Sequence, residues 1–213
     1  MKYLESGFIG QLKTDNRIFR APTSETLADR DGNVTDDLIN FYTKLADGGA
    51  GLIFTGHIYV DVNGQYAPYQ LGLTSSSQLN GFRELTNSVH KRKTPIFAEL
   101  SHSGSQSMMP GIKSLSPSIV PNMIYGKKPK ECSESDILSL IDSFKKSAIL
   151  AMEAGFDGIH IHGGNGYLIS QFCSPLTNLR KDKWGGSPEN RKLFIISVFE
   201  AIKSSVGKST PVT

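Results

Sequence analysis

Short apolar runs alternate with longer segments of helical periodicity along the chain. Four of these runs are typical of buried strands, at residues 17–21, 51–55, 95–100 and 158–162, and a fifth begins at residues 210–213. Strands that alternate with helices in this order favour a parallel sheet with helices packed on it. The pattern therefore predicts an α/β fold.

Four helices are predicted between these strands, and each begins near a residue that caps helices well. Thr35 precedes the first helix, residues 77–79 open the second, Ser133 precedes the third, and Ser187 with Pro188 opens the fourth. In the first three helices the apolar residues recur three and four positions apart, as expected for a face that packs on a sheet. These stripes are Leu38, Phe41, Tyr42 and Leu45; Leu79, Phe82, Leu85 and Val89; and Ile137, Leu140, Ile141, Phe144, Ala148, Ala151 and Met152.

The connections at the two ends of the predicted strands differ in length. Long loops precede the second, third and fourth helices, whereas the turns that follow the helices are short. This asymmetry favours a TIM-type (β/α) barrel with its chemistry at the long-loop end. We interpret residues 103–130, which are rich in Gly, Pro and Ser, as an active-site loop. A doubly wound sheet is the alternative, but no Gly-x-Gly-x-x-Gly motif follows the first strand.

The sequence has 213 residues, whereas a complete barrel of this type takes about 250. We therefore expect residues 1–213 to form the N-terminal portion of a single (β/α)8 barrel domain, with about four βα units and the start of a fifth strand. A partial barrel has strand edges without neighbours. We expect such a chain to form homo-oligomers or to associate through those edges.

Composition narrows the class of protein. Hydrophobic residues make up 38% and charged residues 20%, which is typical of a globular domain. The net charge of +3 is dispersed, so no nucleic-acid surface is predicted. The longest apolar stretch, residues 193–199, is too short to cross a membrane, and the first residues do not resemble a signal peptide. With only Cys132 and Cys173, no disulfide framework is expected, and we predict a cytoplasmic protein.

The segment richest in side chains that could act in catalysis begins within the fourth predicted strand and runs beyond it. It reads HIHGGNGYLISQFCSP over residues 160–175. It places an imidazole, a carboxamide and a phenol close together, at His162, Asn165 and Tyr167. Two neutral donors could hold one carbonyl oxygen, and a phenol could deliver a proton. The same residues could instead satisfy backbone groups of a turn, and the residues alone leave both interpretations open.

Residues 160–191 resemble the signature of the Old Yellow Enzyme family, the FMN-dependent NAD(P)H:flavin oxidoreductases. The resemblance continues through NLRKDKWGGSPENR at residues 178–191 and extends upstream to three strands. There it rests on residues 16–18 with residues 21–24, on residues 51–53 and on residues 98–104. It covers nearly the whole chain but only the N-terminal half of the family's barrel.

The resemblance implies a fold, cofactors and a reaction. FMN lies across the C-terminal mouth of the barrel, NADH or NADPH reduces it, and the substrate is a small α,β-unsaturated carbonyl compound whose C=C bond is reduced. His162 and Asn165 are implied to bind the substrate carbonyl and Tyr167 to protonate the α-carbon. The implied cofactor-binding residues are Pro22, Thr23, Ser24, Gly56 or His57, and Glu99. The substrate within the family and the choice between NADH and NADPH stay open.

Three positions depart from the family's pattern. Glu99 stands where Gln is usual, His160 stands where Glu is usual, and His57 is bulkier than the small residue expected beside the flavin. A carboxylate only accepts hydrogen bonds, whereas an amide also donates them. The family's fifth-strand Arg and its phosphate-binding loops have no counterpart before Thr213. We therefore expect a truncated reductase with impaired flavin binding.

Two other functions compete with the reductase. One is an inactive barrel fragment with no catalysis of its own. The other is a metal-dependent hydrolase, because His160 and His162 fall on one face of a strand and could ligate a metal. No further metal site is predicted.

Overall fold

The computed structural model describes residues 1–122 and 126–213. Positions 123–125, which belong to the predicted active-site loop, lie outside the described residues. Strand and helix alternate along the described chain and form a partial (β/α) barrel, which confirms the predicted fold class.

Nine strands are present in the described part of the chain. They are β1 (Gly7–Ile9), β2 (Leu12–Thr14), β3 (Phe19–Arg20), β4 (Leu52–Phe54), β5 (Ile58–Tyr59), β6 (Ile96–Ser101), β7 (Leu115–Ser116), β8 (Lys130–Glu131) and β9 (Gly158–Ile161). The barrel strands β3, β4, β6 and β9 pair in parallel and in chain order, and they correspond to the four predicted strands. Sequential parallel pairing of this kind is the topology of a TIM barrel.

The predicted fifth strand begins beside β9. Val212 forms a parallel bridge with Ile159. The Thr213 amide donates to the Ile159 carbonyl at 3.0 Å, and the Ile161 amide donates to the Thr213 carbonyl at 2.8 Å. At the opposite edge β3 pairs with β4 alone among the described strands, and Ile18 and Phe19 are exposed there.

Five α-helices are described: α1 (Asp36–Asp47), α2 (Leu79–His90), α3 (Glu134–Glu153), α4 (Leu168–Cys173) and α5 (Pro188–Val206). The side chains of Thr35, Ser133 and Ser187 accept from backbone amides in the first turns of α1, α3 and α5, as predicted. The second helix differs from the prediction at its start, because a short 3₁₀ turn precedes it and Ser75 forms the capping box with Gln78. No helix in the described ranges is long and apolar enough to span a membrane.

Several short elements were not predicted. The β1–β2 hairpin is antiparallel and precedes the first barrel strand, β5 pairs with the end of β6, and α4 follows the strand that carries the candidate site. The predicted active-site loop also contains β7, which pairs in parallel with β8.

The core lies between the sheet and the helices. Its fully buried aromatic side chains include Phe82, Phe144 and Phe194, one from each of α2, α3 and α5. Ile96, on β6, belongs to the same cluster. Burying a side chain of this size stabilises the fold by about 1.5–3 kcal/mol. The packed helices hold the parallel strands in register, so that the ends of β3, β4, β6 and β9 meet at one mouth.

Candidate active site

A cleft of about 320 Å³ opens at the mouth formed by the strand ends. Its lining comes from β6 itself and from the segments that follow β3, β4 and β9. The lining residues are Pro22, Thr23, Ser24, His57, Tyr66, Glu99, His162, Asn165 and Tyr167. The structure thus brings eight of the nine sequence-predicted site residues around one cleft, and it adds Tyr66.

Gly56 is the predicted residue that the structure leaves out of the lining. It is buried, and its amide donates to Glu25 Oε1 and to the Tyr42 hydroxyl, both at 2.8 Å. A Cβ at this position would collide with the Glu25 carboxyl and the Thr23 carbonyl, so the close packing admits only glycine. Of the two alternatives on this strand, His57 is the one that reaches the cleft.

Glu99 and His162 form a buried pair at the floor of the site. His162 Nδ1 lies 3.0 Å from Glu99 Oε1, and both side chains are almost completely enclosed. Parallel register aligns Glu99 with His160, and alternation along β9 puts His162 on the same face as His160. His162 Nε2 is buried and has no hydrogen-bond partner among the residues that the structure describes.

His57 is held by a glutamine that the sequence did not single out. Gln70 Nε2 lies 2.7 Å from His57 Nδ1 and donates to the His57 carbonyl at 2.9 Å, while Gln70 Oε1 accepts from the Tyr66 amide at 2.6 Å. Burial lowers the pKa of His57 to about 4, so the ring is neutral near pH 7. Its ring stacks 6.0 Å from that of His162.

Tyr167 lies where the turn after β9 meets α4. It is the residue immediately before α4, and its buried ring lies edge-on to His162 at 4.8 Å and to His57 at 5.6 Å. Asn165 and Gly166 form the turn with φ of 55° and 70°, a region that asparagine and glycine tolerate best. The turn is therefore shaped to bring an exposed carboxamide and a buried phenol to the same cleft.

Two glutamines that sequence reasoning missed fix this turn. Gln106 Nε2 donates to the carbonyls of Asn165 at 2.9 Å and Gly166 at 2.7 Å, and Gln171 Nε2 donates to Gly166 at 2.7 Å. Gln106 follows β6 and lies about sixty positions from the turn, so no local pattern connects the two. Gln171 lies inside the segment that resembles the family signature, so the sequence could have pointed to it.

The rim opposite β9 is formed by the segment after β3. Arg20 donates to Thr23 Oγ1 at 2.6 Å and to the Ala21 carbonyl at 2.9 Å, which fixes the path of this segment. Glu25 is half-buried beside it, and partial burial raises the pKa of its carboxyl to about 7. The rim therefore carries a carboxyl group that titrates near neutrality.

His160 does not complete a metal site. Its Nδ1 lies 2.8 Å from Thr213 Oγ1, its ring packs on Phe54, and its Nε2 lies 3.9 Å from Glu99 Oε1. Within residues 1–122 and 126–213, no group of three or more His, Cys, Asp or Glu side chains could hold a metal ion. The described residues therefore offer no metal site that would support the hydrolase alternative.

The residues present fit the ring system of FMN. The cleft volume lies in the range of about 300–1,000 Å³ that is usual for small-molecule sites. Aromatic side chains and the Pro22–Ser24 backbone offer surfaces for a planar ring, and Glu99 offers an acceptor to a ring N–H. The buried, partnerless Nε2 of His162 adds a polar group that a ligand can satisfy.

The fold and this cleft define a class, the (β/α) barrel flavin oxidoreductases. The chain belongs to the NADH:flavin oxidoreductase / NADH oxidase family, whose model matches residues 8–213. This confirms the family predicted from the motif, together with its cofactors, FMN and NADH or NADPH.

Two curated relatives and one solved structure show the extent of the similarity. The chain is 39% identical over 211 residues to an NADH oxidase of Thermoanaerobacter brockii, covering 97% of this chain and 32% of that protein. It is 36% identical over 212 residues to an NADPH dehydrogenase of Clostridium acetobutylicum, covering 100% of this chain and 62% of the relative. An old yellow enzyme homologue from Zymomonas mobilis superposes with a TM-score of 0.90 at 32% identity, over 99% of this chain and 62% of that one. The chain thus spans less than two thirds of each.

Proposed function

We propose that the chain is the catalytic-site portion of an FMN-dependent NAD(P)H oxidoreductase that reduces the C=C bond of α,β-unsaturated carbonyl compounds. One observation carries the proposal: His162, Asn165 and Tyr167 line the same cleft as Pro22–Ser24, His57 and Glu99. Bound FMN supplies the hydride chemistry and is reduced by NADH or NADPH.

His162 and Asn165 are proposed to bind the substrate oxygen. Their side chains approach the cleft from β9 and from the turn that follows it, so both can reach one carbonyl group. As the alkene is reduced, negative charge grows on that oxygen. Donors that are already in place stabilise this charge more strongly in the transition state than in the bound substrate.

Tyr167 is proposed to give a proton to the α-carbon. A phenol ordinarily keeps its proton until about pH 10, so it is protonated at neutral pH and still acidic enough for a carbanion-like carbon. The Tyr167 ring is buried against His57 and His162, which restricts its orientation.

The test is a steady-state assay of the FMN-loaded protein with NADPH and 2-cyclohexenone. We expect enone-dependent NADPH oxidation, and we expect His162→Gln to lower kcat/KM about 100-fold because one oxygen-binding group is displaced. His90→Gln is the matched control, because His90 pairs with a carboxylate outside the cleft. Equal activity in the His162 variant and the control would contradict the proposal.

If the chain is instead an inactive barrel fragment, flavin binding and NADPH oxidation will both be absent from the purified chain. We further propose that the chain associates with a second copy through the exposed edge at β3, where Ile18 and Phe19 are exposed.

A further inference from the structure

The cleft contains two imidazole rings whose Nδ1 atoms have chemically opposite partners. His57 Nδ1 lies against the amide nitrogen of Gln70, and His162 Nδ1 lies against the carboxyl oxygen of Glu99. A neutral imidazole carries one proton, and the partner of one ring nitrogen decides which nitrogen holds it. The two rings therefore face the ligand with different chemistry.

Three contacts fix which end of the Gln70 amide faces His57 Nδ1. Gln70 Oε1 accepts from the Tyr66 amide, and Gln70 Nε2 donates to the His57 carbonyl, so the amide orientation is fixed. The nitrogen that faces His57 Nδ1 is a donor, so Nδ1 must accept. The proton of neutral His57 then lies on Nε2, and this ring is a hydrogen-bond donor.

The partner of His162 imposes the reverse arrangement. An ionised carboxylate only accepts, and an imidazole ordinarily binds a proton more tightly than a carboxylate does. The 3.0 Å contact is therefore an Nδ1–H donating to Glu99 Oε1. Neutral His162 then has a lone pair on Nε2, the atom that is buried without a partner among the described residues.

We propose that Glu99 is a positioning residue that holds the proton of His162 on Nδ1, so that His162 donates to a ligand oxygen only in its doubly protonated form. The role of His162 as a donor to a ligand oxygen rests on the proposed function. His162 then binds the substrate oxygen as an imidazolium, whose positive charge stabilises the negative charge that develops there. His57 is a neutral donor in the same cleft. A carbonyl ligand can therefore contact one neutral imidazole and one imidazolium.

The ionisable groups around His162 come from every barrel strand. Glu99 lies on β6, His160 on β9, His57 after β4, and Glu25 and Arg20 at the end of β3, while Tyr167 precedes α4. Of these, Glu99 is the carboxylate in hydrogen-bond contact with His162.

The direct test is ¹⁵N NMR of the histidine rings in the flavin-free, uniformly labelled chain, since protonated and unprotonated ring nitrogens resonate far apart. In the neutral state of His162 we expect the proton on Nδ1, and in the neutral state of His57 on Nε2. A neutral His162 with its proton on Nε2 would overturn the proposal. Because no flavin or substrate is present, this result is independent of the proposed function.

The variant Glu99→Gln tests the role of the carboxylate. Its amide can donate to Nδ1, so we expect neutral His162 to shift its proton toward Nε2. The matched control is Asp157→Asn, which alters a histidine–carboxylate pair outside the cleft and should change the His90 signals only. Unchanged His162 signals in Glu99→Gln would overturn the role of Glu99.

Discussion

Glu25 is a half-buried acid beside the cleft, and its carboxyl accepts a hydrogen bond from the Gly56 amide. Burial raises its pKa from 4.5 to about 7. The folded state therefore binds the proton of this group more tightly than the unfolded state. The stabilisation is fully present below about pH 4.5 and is lost as the pH rises through about 7.

Glu25→Gln should remove this pH dependence, because the amide oxygen still accepts from Gly56 and no charge forms in the buried site. We expect the variant to gain about 1–3 kcal/mol in free energy of unfolding over the wild type at pH 8, and no advantage at pH 4.5. Urea denaturation at the two pH values measures both quantities. An equal difference at both pH values would show that Glu25 does not titrate on unfolding.

Tyr167→Phe removes the proposed proton donor while keeping the aromatic ring that packs on His57 and His162. We expect kcat for enone reduction to fall by about 10²–10⁴ and the rate of flavin reduction by NADPH to change little, because only the first process needs the phenol proton. Stopped-flow measurement of the two half-reactions separates them. A variant slowed equally in both would indicate a structural role for Tyr167.

The sequence could identify site residues only where a local motif carried them. His162, Asn165 and Tyr167 lie in one matched segment, and they do line one cleft in the structure. Tyr66 and Gln70 lie in a loop with no periodic pattern, so nothing in the sequence pointed to them. The Glu99–His162 contact joins positions 63 residues apart, and it follows from strand register, which a single sequence does not specify.

At the level of elements, the His90–Asp157 pair links a helix to two barrel strands at the end of the barrel opposite the cleft. His90 in the last turn of α2 lies 2.8 Å from Asp157, and the same carboxylate oxygen accepts from the Ile96 amide at 2.8 Å. The hydrogen bond to Asp157 raises the pKa of His90. A helix end and the starts of two barrel strands are thus linked through one carboxylate.

His90→Gln tests this link. The stabilisation from the charged pair is fully present below about pH 6.5 and is lost as the pH rises through the raised pKa of His90. We expect the variant to be less stable than the wild type by a few tenths to about 1 kcal/mol at pH 6, because the pair is partly exposed, and nearly equal to it at pH 9. Thermal unfolding at both pH values checks the direction, and a larger deficit at pH 9 would refute it.

Helices and strands were predicted correctly where a long periodic pattern was present in the sequence. The apolar stripe of α3 runs from Ile137 to Met152 within a helix of twenty residues, and the position of this helix was confirmed. Strands of two or three residues, such as β1 and β5, are too short to show alternation, and they form because neighbouring backbone groups need partners. The six residues of α4 are mostly buried, so they show no polar face that would have marked a helix.

At the level of the whole molecule, the edge at β3 is the exposed part of the sheet. Ile18 is 48% exposed and Phe19 38% exposed beside a strand with a single described partner. Free strand edges with apolar side chains favour pairing between molecules. The proposed self-association therefore depends on this edge.

Ile18→Lys should weaken that association, since a charge on an edge opposes pairing with another edge. We expect sedimentation velocity to show concentration-dependent dimers in the wild type and a shift of at least tenfold in the dissociation constant in the variant. Leu176→Lys is the matched control, because Leu176 is also exposed and lies outside every strand. A wild type that stays monomeric at all concentrations would exclude the edge as an interface.

The central claim is that the cleft at the barrel mouth binds a flavin. Titration of FMN with the purified chain, followed by flavin absorbance and fluorescence, tests it most directly. We expect a saturable 1:1 change in the flavin spectrum that is weakened at least tenfold by His57→Trp, which fills the cleft, and is retained in Leu176→Lys. A free-flavin spectrum throughout the titration, with the chain folded by circular dichroism, would contradict the account.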